Sequence, residues 1–362
     1  MSAEQRDAAR AGTAPQPPCA IDVHTHVVPA ALPQYLGRHA DVPWPSMAPA
    51  HACHRHVMVS GSVYRTVSNQ SWDCAVRLAD MDERRIARQV LSPMPELLSY
   101  WLAAEDGAAL CRYLNETIAA MAAEQPQRFS GLAAVPLQDV AHAIAELDIA
   151  VNRLGLAGVE IAGNINGKVI GHPDFLPFFE AAAAWNAAVF VHPLRPTGMD
   201  RLLGPPALEQ VLAFPGETGL AAASLITGGT LARVPRLRIA FSHGGGSLSA
   251  LLPRLTHAWR ALPGMREALP LEPAAAARTM FYDDLVYDAA AIRRLIEVFG
   301  SSQIMAGSDY PFAIMDTDPV GRLASLELPP AVEELLRCKN AERWLSLPGE
   351  PRLHIPAQRN KP

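Results

Sequence analysis

Five side chains suited to metal or acid–base chemistry close four short apolar runs: His24 and His26 in IDVHTH, His192 in VFVHP, His243 in IAFSHGGG and Asp309 in IMAGSDYP. Successive side chains of an extended strand point to opposite faces, so an H-x-H pair puts both imidazoles on one face, within reach of one cation. Alone, such a pair reads more readily as two half-buried histidines bonded to their surroundings. Three further candidate ligands in the order His, His, Asp, each ending another apolar run, turn the reading toward a metal site. Imidazole nitrogens with one carboxylate suit zinc, whose catalytic sites keep a position open for water or substrate. An ion held this way activates bound water and polarises a carbonyl or carboxylate.

Positioning these residues requires a repeating framework, and the chain alternates accordingly. Strands are predicted at Ala20–His26, Arg88–Ser92, Phe129–Val135, Gly158–Ile161, Ala188–His192, Arg238–His243, Thr279–Tyr282 and Ile304–Ser308, with amphipathic or Ala-rich segments between most of them. One helix starts near Val140 and is stopped by Gly155; others cover Asp174–Trp185 and Ala289–Phe299. Eight strand–helix repeats describe a (β/α)8 TIM barrel, whose active sites form at the C-terminal strand ends, where these candidates fall. An open doubly wound sheet would need a Gly-rich phosphate turn after its first strand, and that position reads HTHVVP.

Residues 27–71 form a long insertion after the first strand, read as a lid. Within it HVMVSGSVYRTV predicts a hairpin about Ser60-Gly61-Ser62 that delivers Arg65 to the barrel mouth. The lid also holds His51, Cys53, His54 and His56, which read as solvated residues rather than a second metal site, because no acidic partner is near them.

The 362 residues, close to half hydrophobic and carrying a net charge of −5, suffice for one large core. Residues 1–18 read as a disordered leader, 19–346 as the barrel with its lid, and 347–362 as a C-terminal tail. Nothing in the sequence resembles a membrane span or a signal peptide, so the expected location is cytoplasmic. Five scattered cysteines without a C-x-x-C pair exclude a disulfide framework and a zinc ribbon. A mildly acidic chain without a basic run excludes nucleic acid.

The pieces IDVHTHVVP, YRTVSNQSWD, MDERRIARQVLSPMP, FSHGGGSLSALLPRLTHAW and IMAGSDYPF, taken in order, resemble the amidohydrolase superfamily. Within it the likeness is to the branch of metal-dependent decarboxylases that includes aminocarboxymuconate semialdehyde decarboxylase, over roughly Ile21 to Glu342. The resemblance implies that His24, His26, His192 and Asp309 hold one zinc ion per subunit, with other divalent metals as alternatives. It implies an acid/base role for His243, and substrate carboxylates gripped by Arg65 and by Arg254, the latter reaching across a homodimer interface. Leu194-Arg195 stands where the family decarboxylase has Trp-Asp, and Leu262 replaces a basic residue beyond HGGGS; both changes fall in the expected substrate pocket. A carboxylated lysine bridging two metals is disfavoured because Lys168 lies beyond the fourth strand, leaving Glu160 as the residue that would favour a second ion; its alternative is a hydrogen-bonded interior carboxylate.

The expected activity is non-oxidative decarboxylation of a small unsaturated or aromatic acid in aromatic-compound catabolism, with a proton relayed through His243 or Asp309. A zinc hydrolase or hydratase acting on a ring-cleavage product shares the same ligand set. A catalytically dead barrel would be expected to have lost one of the five positions, and none is lost.

Overall fold

The computed structural model describes residues 20–37, 41–205 and 207–347; the expected leader and nearly all of the tail lie outside the described residues. Eight parallel strands, at Ala20–Val27, Ile86–Pro93, Phe129–Ala133, Gly158–Ala162, Ala188–His192, Arg238–Phe241, Phe281–Asp283 and Ile304–Met305, pair in sequence order. The first strand meets the eighth through a parallel bridge between Thr25 and Tyr310, through Val23 N–H to the Ala306 carbonyl (2.9 Å) and through Asp309 N–H to the His24 carbonyl (2.8 Å). These contacts close the sheet into a (β/α)8 barrel.

All eight expected strands form, and the differences at their ends have local causes. The eighth stops at Met305 instead of Ser308 because its next amides turn to other partners: Ala306 N–H donates to the Leu336 carbonyl (3.0 Å), Gly307 N–H to Asp284 (3.0 Å) and Ser308 N–H to Asp22 (3.0 Å). The third stops at Ala133 because Ala134 N–H donates to Asn115 Oδ1 at 2.7 Å. The sixth ends at Phe241 and turns through His243–Gly245, while the seventh begins only at Phe281 because Thr279 N–H still closes the preceding helix.

Helices at Cys74–Glu83, Ala104–Glu124, Val140–Asn152, Leu176–Ala184, Phe214–Thr227, Leu248–Ala261 and Ala289–Phe299 follow the first seven strands. Asp139 and Asp288 cap two of them by accepting from His142 N–H and Ala291 N–H, which explains why both begin where the apolar period begins. The segment expected as a helix from Asp174 opens as a tight 3-10 turn, Pro173–Phe175, and continues as Leu176–Ala184. Inside the barrel Val23, Val90, Leu132, Phe190, Ala240 and Met305 pack together with Trp344 of the C-terminal helix Asn340–Leu345. Trp344 Nε1 donates to the carbonyl of Arg238, the first residue of the sixth strand, so this helix plugs the end of the barrel opposite the ligand-bearing strand ends.

The insertion contains a three-stranded antiparallel sheet of Ser46–Pro49, His54–Val59 and Ser62–Ser68. Ser60 and Gly61, both at positive φ (51° and 77°), join the last two strands in a two-residue turn of the hairpin-forming kind. No helix among the described residues is long and apolar enough to cross a membrane. Cys53, Cys74 and Cys111 are free thiols.

Candidate active site

His24, His26, His192 and Asp309 meet at the C-terminal ends of the first, fifth and eighth strands, each offering one donor atom, with all four donors within 4.8 Å of one another. All four side chains are buried. Each histidine is oriented through its Nδ1. That atom donates to Asp283 Oδ2 (2.7 Å) in His24, to the Pro93 carbonyl (3.2 Å) in His26 and to the Pro193 carbonyl (2.9 Å) in His192. With Nδ1 protonated, Nε2 of a neutral imidazole is a lone-pair donor facing the centre.

A cation fits this arrangement. Carbonyl oxygens only accept, so the His26 tautomer is set, yet its Nε2 lies 3.1 Å from Asp309 Oδ1, one electron-rich atom against another. His24 Nε2, His26 Nε2 and Asp309 Oδ1 are buried without a hydrogen-bond partner among the described residues. Orphaned buried acceptors pointing at one another cost free energy that a shared cation removes. Burial also holds the His26 and His192 imidazoles below their usual pKa, which keeps their lone pairs available.

His243 follows the sixth strand at φ 54°, with its ring centroid 5.3 Å from His24 and 5.2 Å from His192. Burial, then the neighbouring His24, lowers it to about 4, so it is neutral at pH 7. The turn carrying it needs glycine at Gly246, where φ is 55° and a Cβ would lie 2.0 Å from the Pro215 carbonyl oxygen. Asp283 joins this turn to the ligand set, since its Oδ1 accepts from Gly244 N–H (2.7 Å) while Oδ2 holds His24. Burial opposes the Asp283 carboxylate, but His24 and His243 hold its pKa below the ordinary value.

A cavity of about 470 Å³ opens onto His192, His243 and Asp309. Its walls are largely apolar, with Phe214, Pro215, Leu285, Val286 and Phe312 among them, and Arg65 of the lid and Glu96 add charge. Phe312 stacks on His26 at 4.8 Å and 18°, and the Arg65 guanidinium sits over Phe312 at 4.2 Å, so a continuous stack runs from the ligand set to the lid.

The sequence-derived candidates divide cleanly. His192, His243, Asp309 and Arg65 line one cavity and His24 and His26 join His192 and Asp309 in the buried cluster, whereas Arg254 is exposed on the helix Leu248–Ala261 and does not line the cavity. Leu262 is also outside, 56% exposed at the end of that helix. Arg195 stacks on Trp101 at 3.6 Å. Glu160 is a fully buried interior carboxylate with Ser92 beside it, and burial pushes its pKa well up. It lies 4.0 Å from His26 Nδ1, outside the ligand set. In the insertion, the His51 and His54 rings lie 4.3 Å apart, tilted by 31°, and His56 meets Thr66; no ligand cluster forms there among the described residues.

Sequence reading missed Asp283, Glu96 and Phe312. For Asp283 a signal existed, since it ends the seventh apolar run as His192 ends the fifth. Glu96 and Phe312 carry no local pattern, and only the closed barrel shows that they face the cavity.

Residues 21–347 match the model of the family described as amidohydrolase. The chain is 34% identical over 331 residues to 2-amino-3-carboxymuconate-6-semialdehyde decarboxylase of Dictyostelium discoideum, covering 90% of this chain and 91% of that one. In fold it is similar to IDCase of Metarhizium anisopliae, with a TM-score of 0.77 and 22% identity, covering 92% of this chain and 99% of that one. A 5-carboxyvanillate decarboxylase of Novosphingobium aromaticivorans, solved with manganese and 4-hydroxy-3-methoxy-5-nitrobenzoic acid, aligns with a TM-score of 0.69 and 25% identity over 77% of this chain and 82% of that one.

Proposed function

The chain belongs to the amidohydrolase family, and on that premise we propose that it is a metal-dependent carboxy-lyase. It removes CO2, without oxidation, from a small unsaturated or aromatic carboxylic acid of the carboxymuconate semialdehyde or hydroxybenzoate kind. The observation that carries this reading is the convergence of a buried His3Asp cluster, a neutral histidine and an arginine on one apolar cavity. Relatedness to a decarboxylase across nine-tenths of the chain supports C–C cleavage over hydrolysis or hydration, for which the same ligands would serve.

His24, His26, His192 and Asp309 would hold one divalent ion, zinc by the chemistry of three imidazoles and a carboxylate, with manganese as an alternative. When bound, that ion supplies Lewis-acid polarisation of the substrate's carboxylate or conjugated oxygen. Arg65 pairs with a substrate carboxylate through its planar guanidinium, held in place by Phe312. His243 moves the proton that replaces CO2 on the substrate carbon. As the C–C bond breaks, its electron pair passes into the conjugated system, and no organic cofactor is required. The apolar walls exclude water from that charge. Asp309, as a cluster carboxylate bordering the same cavity, is placed to share the proton relay.

Arg254, exposed on an outer helix, would serve only the pocket of another subunit, which is the part a homodimer would play. Such an enzyme would act in the cytoplasm in the breakdown of aromatic compounds. Zinc-loaded protein is to be assayed for CO2 release from carboxymuconate semialdehydes and hydroxybenzoates. Release above the uncatalysed rate from at least one acid is expected. Consumption of an acid without CO2 would favour the hydratase or hydrolase instead.

A further inference from the structure

Most polar groups of the cavity suit an anion: the ligand set, His243 and Arg65. Glu96 does not. It sits in the 3-10 turn Pro95–Leu98 after the second strand, only 8% exposed, and borders the same cavity. A buried carboxylate beside a carboxylate-binding site needs a reason, because it repels the group the rest of the site attracts.

Its surroundings keep it in place without consuming it. The Tyr64 hydroxyl, from the lid, donates to Glu96 Oε1. Burial raises the Glu96 pKa, the Tyr64 hydrogen bond and Arg65 of one lid strand oppose that rise, and Arg195 interacts with both Glu96 and Tyr64 from the loop after the fifth strand. Arg195 is one of the positions where this chain departs from the family decarboxylase, and its charge is near enough to Glu96 for the two to interact. A carboxylate offers about four acceptor positions, and one hydrogen bond from Tyr64 leaves most of them open.

We propose that Glu96 is a specificity-determining residue that selects acids carrying a hydroxyl or amino donor away from the departing carboxylate. The proposal rests on the reading that the cavity takes a small carboxylic acid. Arg65 and the metal ligands hold the carboxylate, and Glu96, joined to the lid through Tyr64, accepts from the donor. A second carboxylate at that position is rejected by charge, and an apolar substituent leaves the buried Glu96 without a partner.

The test is calorimetric binding to zinc-loaded protein of 3- and 4-hydroxybenzoate, 3- and 4-aminobenzoate, the matching methylbenzoates and benzoate. Ortho-substituted acids are left out because a vicinal donor chelates the metal itself. In the wild type, at least one donor-bearing acid is expected to bind about 10- to 100-fold tighter than its methyl counterpart, the range for a hydrogen bond to a charged group. Glu96→Met is expected to bring that ratio to within about threefold while retaining benzoate binding and zinc. Tyr64→Phe, which removes the contact with the lid but keeps the carboxylate, is expected to preserve the ratio. A wild-type ratio below about threefold, or one that survives in Glu96→Met, overturns the proposal. Equal loss of the ratio in Tyr64→Phe also overturns it, by showing that Glu96 only anchors the lid. Failure of every acid, benzoate included, to bind the wild type instead removes the carboxylic-acid reading beneath it.

Discussion

Asp283 is bound on both oxygens, and the two demands differ in origin: His24 Nδ1–H on Oδ2, and the Gly244 and Leu285 amides on Oδ1. Asparagine has one oxygen and one NH2 at those positions, so Asp283→Asn sets donor against donor at one of them. The expected outcome is about 10- to 100-fold weaker zinc binding with all four ligands still present, read by titrating metal-free protein. For His243→Asn, CO2 release is expected to fall about 10²- to 10⁴-fold with the zinc count unchanged; full activity in that variant would remove the residue from the mechanism. The same side chain makes stability depend on pH. Its folded pKa is about 4 against roughly 6.5 unfolded, so between those values the unfolded chain binds the extra proton and stability falls as pH drops. A nearby cation acts in the same direction. The melting temperature of His243→Asn should therefore gain on that of wild type between pH 7 and pH 5, and a gap that does not change with pH would contradict the assignment. At this scale the ligands were legible because each ends an apolar run, whereas Glu96 was not, since its partner Tyr64 lies 32 positions away and joins it only after the lid folds.

The elements were legible where hydrophobic period and caps agree, as in the helices after Asp139 and Asp288. They were less so where side chains intercept the backbone. The eighth strand reads as continuing to Ser308, but Asp22 and Asp284 take its amides, and that interception frees Asp309 to turn inward at φ 66°. The sixth strand likewise gives way to the glycine turn that carries His243. Gly246→Ala tests how tightly this turn is specified: a Cβ would collide with the Pro215 backbone at a φ of 55°. A loss of at least ~2 kcal/mol in denaturant unfolding is expected, combining left-handed strain with overpacking. A neutral effect would mean the turn and the helix Phe214–Thr227 can separate freely. The hairpin of the lid was predicted by Ser60-Gly61, yet what the lid covers became visible only from Arg65 lying over Phe312.

For the whole molecule, the barrel brings together residues from its two ends, 285 positions apart between His24 and Asp309, with those ends also joined by backbone hydrogen bonds. A metal bound only by the folded barrel stabilises it by mass action, about 2.7 kcal/mol at 100 times the dissociation constant. Chelation is therefore expected to lower the melting temperature by several degrees, and added zinc to restore it. A melting temperature indifferent to chelator would argue against a metal at this site.

The most direct measurement is the rate of CO2 release as metal-free protein is titrated with zinc, with CO2 counted against acid consumed. A rise that breaks at about one equivalent per chain, with one CO2 per acid, is the predicted result. Consumption of acid without CO2, or a break at two equivalents, would contradict the account, the latter by bringing Glu160 into a second site.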